Sequence, residues 1–432
     1  MSRYNFTAIS PYLKEFFGWL KTDLGMFEMV LPLIYGVSVI LNGPIADRIG
    51  GKKAFLIGAG GVTVMNFLFG ASHWLVSHPA VWGAGGVAGG NLIERASYNF
   101  GFNHTTTLSL MSIIWAVNGY FQSFGALSIV KINAQWFHIS ERGTFAAIFG
   151  VLIRMGLILA FNITPFIAKY MSWHWAFWIP AILVACLFVL TYLFVKDTPK
   201  EAGYGEMDTG DAVIGESDTE KVKLSLIIKK VFTNRVMWTI AIGSVMIGLV
   251  RRTVVDTWVP LYFSEVHGIS VTSAVYQSAA WFMALAGILG GFAFGITSDR
   301  IFGSRRAPVV TLGFIGMAVG LGIFLVFDSL KLGAGWAAFC WVFLSFFVNG
   351  AHGMIGGAAS MDFGGRKAVA TAAGLFDGLQ YFASAPNGII VGYITQTYGW
   401  QVWKLWPLPF AIIGAIAMAT LWNVLPRGRS SH

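Results

Sequence analysis

The chain has 432 residues, of which 56% are hydrophobic and only 11% charged, whereas a water-soluble protein carries about 25% charged residues. The excess apolar surface calls for lipid as its solvent, and the net charge of +9 then reads as basic residues gathered in cytoplasmic loops rather than as a nucleic-acid surface. Cys186 and Cys340 both lie in apolar runs and suggest small core residues, with neither a disulfide framework nor a metal site.

Crossing ~30 Å of hydrocarbon takes about 20 apolar residues. The stretch from Met1 to about Phe17 is moderately apolar and too short. With no charged segment and cleavage site before it, it is not read as a signal peptide. Spanning helices are then predicted near 28–46, 54–71, 107–129, 145–168, 176–195, 237–263, 275–297, 308–327, 335–359, 369–394 and 405–424. Basic residues follow every second helix: Arg48, Lys52 and Lys53, then Arg142, the polar stretch Lys196 to Arg235, then Arg300, Arg305 and Arg306, Arg366 and Lys367, and finally Arg427 and Arg429. This alternation places those loops in the cytoplasm. The polar, glycine-rich stretch from Ser72 to Thr106 is expected to be a large outward loop. The segment from Lys200 to Lys223 is expected to be a flexible linker.

The chain repeats itself. Arg3 is followed eight residues later by Pro11, and Arg252 eight residues later by Pro260. Asp47-Arg48-Ile49-Gly50-Gly51-Lys52-Lys53 is echoed by Asp299-Arg300-Ile301-Phe302-Gly303-Ser304-Arg305-Arg306. The anchors are 44 residues apart in the first copy and 47 in the second. Two parallel halves with a site between them follow from such a repeat: residues 1–195 as the N-terminal helical half, 196–235 as a cytoplasmic linker, and 236–426 as the C-terminal half. If the halves match, about a dozen residues of helix 1 are missing before Arg3, because Arg252 stands about 15 residues into its own helix.

Gly43-Pro44-Ile45-Ala46-Asp47-Arg48-Ile49-Gly50-Gly51-Lys52-Lys53 resembles the loop signature of the major facilitator superfamily. Four segments are similar to the organophosphate:phosphate antiporter family within it: Arg3-Tyr4-Asn5-Phe6 with Pro11-Tyr12-Leu13; Asn133-Ala134-Gln135-Trp136-Phe137 with Glu141-Arg142-Gly143; Asp197-Thr198-Pro199; and Arg252 with Trp258 and Pro260. The stretch Ala370-Thr371-Ala372-Ala373-Gly374 is similar too. The resemblance implies an all-α membrane fold of two six-helix halves around a central cavity. It also implies one arginine from helix 1 and one from helix 7, here Arg3 and Arg252, facing each other across that cavity. The family lysine of helix 2 is replaced by Val39, the histidine of helix 5 by Ile153 beside Arg154, and the lysine after the first arginine by Tyr4.

Chemistry points the same way. A guanidinium at mid-bilayer costs about 2.5–3.5 kcal/mol even on lenient scales, so it is kept only against a wet cavity or an anion, and its planar fork fits phosphate oxygens two at a time. Arg252 could instead pair with Asp256 inside its helix. Adjacent helical positions differ by ~100°, so Arg251 and Arg252 are not expected to point into one cavity equally well, and Arg252 is favoured by its spacing to Pro260. Arg154, Tyr4, Gln122 and Asp377 are further candidates to line the cavity, with Asp377 a possible proton site and His352 read as a core histidine. Asp47, Arg48, Asp299 and Arg300 are expected to gate the cytoplasmic side through ion pairs with neighbouring helix ends.

The expected function is secondary transport of an organic anion, an organic phosphate exchanged for inorganic phosphate by alternating access. The alternatives are a proton-coupled symporter of another organic anion such as a sugar carboxylate, and a membrane sensor of a sugar phosphate. No nucleotide loop, nucleophile motif or metal cluster points to an enzyme. The expected partners are a small anionic substrate and the bilayer, without cofactor or nucleic acid. The expected location is the inner membrane, as a monomer with its linker and termini in the cytoplasm.

Overall fold

Backbone polar groups in hydrocarbon must be satisfied within their own segment, so apolar runs of this length can cross lipid only as helices. The computed structural model describes residues 1–77, 106–137, 151–205, 235–303, 305–355 and 369–424. Among the described residues ten helices are long and apolar enough to span a bilayer. The chain is therefore a multi-pass membrane protein.

In the first half, two short helices, α1 (Asn5–Ala8) and α2 (Ser10–Phe17), precede α3 (Lys21–Ile49), α4 (Gly51–Ser77), α5 (Thr106–Trp136), α6 (Val151–Tyr170) and α7 (Trp175–Phe194). In the second half come α8 (Arg235–Thr257), α9 (Val259–His267), α10 (Ala274–Arg300), α11 (Arg306–Ser329), α12 (Ala334–Gly353), α13 (Val369–Ser384), α14 (Asn387–Thr397), α15 (Trp400–Leu405) and α16 (Leu408–Ala419).

Three sequence expectations are corrected. The outward loop expected from Ser72 does not start there, because α4 continues to Ser77; residues 78–105 lie outside the described residues. The single helix expected over 369–394 is two pieces with a break at Pro386, and the one expected from residue 405 starts at Leu408, after Pro407; at both places a proline removes a donor and crowds the preceding turn. The helix expected from residue 28 starts at Lys21, where the Asp23 carboxylate accepts the Leu20 amide at 2.9 Å.

Within the first half α5 packs along α3 and α4, and α7 along α4; within the second, α12 packs along α10 and α11, and α16 along α8 and α11. The halves meet where α3 lies against α13 and α14. Glycines set that closeness: a Cβ on Gly25 would stand 2.5 Å from the Gly388 carbonyl oxygen, and one on Gly36 would stand 2.9 Å from that of Gly378.

At the rim where α2, α3 and α9 end or begin, Glu265 lies 3.0 Å from Lys14 and 2.8 Å from Lys21 and accepts the Trp400 indole N–H at 2.9 Å. Lys14 and Lys21 come from one half, Glu265 and Trp400 from the other. Glu265 stands beyond the Arg235–Thr257 span. Burial alone would raise its pKa, but the hydrogen bonds from Lys21, Trp400 and Lys14 prevail and hold it below the usual carboxylate value.

Candidate functional site

The site is built on a helix that changes pitch. In α8 the last turn, Arg252–Thr257, is π-helical, and α9 resumes with Pro260 in its first turn. Proline has no N–H to continue the ladder and crowds the carbonyl four residues back, so the wider turn leaves carbonyls without helical donors. Side chains answer them. Trp341 donates to the Val255 carbonyl at 2.9 Å, Trp403 to that of Thr253 at 3.0 Å, and Thr257 to that of Arg252. The same device recurs in α6, with a π turn over Leu159–Ile163 followed by Pro165.

Both arginines at this turn are buried, and they face different partners, as their ~100° offset leads one to expect. Arg251 donates through Nη2 to the Tyr381 hydroxyl at 3.1 Å and through Nη1 to His352 Nε2 at 3.1 Å, and its Nε lies 3.2 Å from Asp256. Arg252 reaches across to the first half. Its Nη2 donates to the Glu28 backbone carbonyl at 2.7 Å and to the Glu28 carboxylate at 3.2 Å. The pairing of Arg252 with Asp256 weighed from the sequence thus falls to its neighbour Arg251.

Arg3 comes from the start of the chain. Its guanidinium carbon lies 4.2 Å from the centre of the Tyr35 ring and 4.7 Å from that of Tyr381, one ring from each half, a cation–π arrangement. Its backbone neighbour Ser2 is fastened by Gln122, whose amide donates to the Ser2 carbonyl at 3.1 Å. Gln122 therefore holds the arginine's backbone in place. Arg3, Tyr4, Thr7, Phe27, Glu28, Leu31, Pro32, Trp115 and Arg252 line one cavity, whose free space is about 10 Å³, room for roughly one water. Arg251 Nε has the Asp256 carboxylate beside it, but among the described residues Arg3 Nη2 and Arg252 Nε are buried without a hydrogen-bond acceptor. Buried polar groups are nearly always paired, so two unanswered cationic donors, one from each half, fit an anion.

Tyr4 lines the cavity and donates to Asp256 at 3.4 Å. Arg154 points inward and donates to Asn349 at 2.5 Å, while its neighbour Ile153 is 68% exposed. Asp377 interacts electrostatically with Arg251 and Arg3. Val39 packs with Tyr35 and Tyr381, so the position of the absent lysine is an apolar wall of the arginine cage.

The second copy of the loop signature joins two neighbouring helix ends, the end of α10 and the start of α11. Asp299 pairs with Arg306 at 2.6 Å across its own short loop, and Arg48 and Arg300 are exposed at helix ends. The side chain of Asp47, like the whole of Arg142, Arg366, Lys367, Arg427 and Arg429, lies outside the described residues. The acid that holds the first-half loop is Asp197, which accepts the Lys52 amide at 2.6 Å at the start of α4, where an anion meets free helix N–H groups. Its role was visible only as part of a motif. Glu28, Tyr35 and Tyr381 were not singled out from the sequence.

Residues 1–387 match the sequence profile described as Major Facilitator Superfamily. The chain is 28% identical to the glycerol-3-phosphate transporter of Bacillus subtilis (strain 168), over 98% of this chain and 88% of that protein. It is 25% identical to the probable hexose phosphate transport protein of Chlamydia muridarum, over 100% of this chain and 89% of that one. Among solved structures, the inward-facing bacterial homologue of the human lysosomal transporter Spinster superposes with a TM-score of 0.72 at 14% identity, over 100% of this chain and 95% of that one.

Proposed function

The chain belongs to the major facilitator superfamily, and from that premise we propose that it carries an organic phosphate across the plasma membrane, taking inorganic phosphate in exchange by alternating access. The observation that carries this reading is the cavity lined by Arg3 from the first half and Arg252 from the second, each with a buried N–H lacking an acceptor. A phosphate between them would accept from both planar forks, which a single cation could not offer. The names of the glycerol-phosphate and hexose-phosphate relatives support the substrate class.

The fold suggests how the substrate moves. With about 10 Å³ free, the closed cavity has no room for an organic phosphate. The first half must therefore rock away from the second, parting α3 from α14 and opening the Glu265 rim. The rim faces outward in this reading, since the basic loops at the opposite end favour the cytoplasm. The substrate-binding group is Arg3 and Arg252, with Tyr4 and Arg154 alongside and Arg251 oriented by Tyr381 and His352. Asp299 with Arg306, and Asp197 with the Lys52 amide, brace the cytoplasmic end, and one chain holds the whole site.

The test is counterflow. Proteoliposomes loaded with inorganic phosphate should take up labelled glycerol-3-phosphate or glucose-6-phosphate, and phosphate-free vesicles should take up far less. Uptake of neither compound, with an uncharged sugar carried instead, overturns the proposal.

A further inference from the structure

Two arginines facing each other at mid-membrane repel, and in a simple exchanger that repulsion keeps the carrier from turning over unless an anion lies between them. Here the protein supplies anions of its own. The guanidiniums of Arg3, Arg154, Arg251 and Arg252 share this buried region with the carboxylates of Glu28, Asp256 and Asp377. Among the described residues the cluster carries four formal positive charges and three negative.

Glu28 differs from the other two acids. Asp256 sits on the same helix as its partner Arg251, so their contact survives any movement of the halves. Glu28 belongs to the first half and its partner Arg252 to the second. Its second oxygen accepts the Thr7 hydroxyl at 2.6 Å, a bond within its own half. When the halves part, Glu28 keeps Thr7 and releases Arg252. When they close, it takes Arg252 again. The Glu28 oxygen lies 3.2 Å from Arg252 Nη2 on the wall of a cavity with room for roughly one water, so a phosphate oxygen on that nitrogen must displace it.

We infer that Glu28 is a built-in stand-in for the substrate's phosphate, which neutralises Arg252 when the halves close without cargo and so lets the unloaded carrier return. The transporter then performs net movement of organic phosphate as well as exchange. Glu28 is in this sense a coupling residue, competing with the substrate and bonding to none of it. The inference rests on the transport reading above.

The experiment uses the full chain in proteoliposomes loaded with labelled glycerol-3-phosphate. Efflux is measured into phosphate-free buffer and, separately, into buffer containing inorganic phosphate. Wild type should show both. Glu28→Gln keeps the side-chain shape and leaves the bond from Arg252 to the residue-28 backbone carbonyl, so folding should survive. It should lower the ratio of net efflux to exchange roughly tenfold to hundredfold, the worth of a charge-assisted bond. Glu28→Asp, which keeps the charge, should recover part of the net efflux. An equal loss of both fluxes in Glu28→Gln, or an unchanged ratio between them, overturns the role of Glu28. Wild-type exchange without net efflux overturns it too. If wild type shows neither flux, the transport reading itself fails.

Discussion

Replacing Gly25 by alanine tests how the two halves close. The added methyl would stand 2.5 Å from the Gly388 carbonyl oxygen and 3.0 Å from its carbon, where ordinary contact begins at 3.4 Å. Both neighbours are backbone, so no side chain can swing aside, and α3 must move off α14 by about 0.9 Å at this point. Overpacking of this kind costs about 1–3 kcal/mol. The cost falls only on the closed arrangement, so the balance between closed and open at this rim should shift toward open by roughly 5- to 150-fold. Nitroxide labels at Phe16 and Tyr398, exposed residues near this rim in opposite halves, would report it by electron–electron dipolar spectroscopy. The variant should show a longer and broader distance distribution than wild type. Gly388→Ala should do the same, since its methyl would stand 2.6 Å from the Gly25 carbonyl oxygen. Distributions identical to wild type in both variants would mean that the glycine contact is not what limits closure.

Two further outcomes follow from the site and the rim. Arg3→Lys and Arg252→Lys keep the charge and lose the fork, so each should weaken phosphate binding by roughly 10- to 100-fold, read by calorimetry in detergent. Arg251→Lys, whose terminal donors already serve Tyr381 and His352, should weaken it less; a larger loss there would move the phosphate to Arg251. At the rim, the Glu265 carboxyl is held below its usual value, so its pairing stabilises the closed rim above the ordinary carboxylate range and is lost as pH falls through the lowered value. The label distances should therefore be constant from about pH 5 to pH 8 and lengthen only below about pH 4, and Glu265→Gln should remove that acid response.

The helices were legible because hydropathy over 20 residues is a strong signal, and Arg3 and Arg252 because a cation in an apolar run is costly enough to demand a reason. What the sequence did not give was the partners. The spacing to Pro260 picked out Arg252, which lines the cavity. Which acid each arginine takes depends on the π-helical turn from Arg252 to Thr257 and on the facing half, and neither is visible in local spacing. The Tyr35 and Tyr381 cage was hidden for a different reason: an aromatic residue in an apolar run looks the same whether it faces lipid or stacks on a guanidinium.

Glu28 shows how a small error at a helix end conceals a functional group. Read as beginning at residue 28, the first long helix puts this carboxylate at the membrane edge, where an acid is ordinary. The helix in fact begins at Lys21, which sets Glu28 two turns inside it, where an acid must be paired. Its partner lies 224 residues away, beyond the reach of any local pattern. Yet the same rule that marked the arginines would have marked it, since intramembrane charges of opposite sign in opposite halves are each costly alone and cheap together. Matching the unexplained acids of one half to the unexplained bases of the other would have proposed this pair. A pair of that kind exists only while the halves are together, whereas a pair within one helix, such as Arg251 and Asp256, holds in either arrangement; on the proposal above, that difference is what lets Glu28 act on transport.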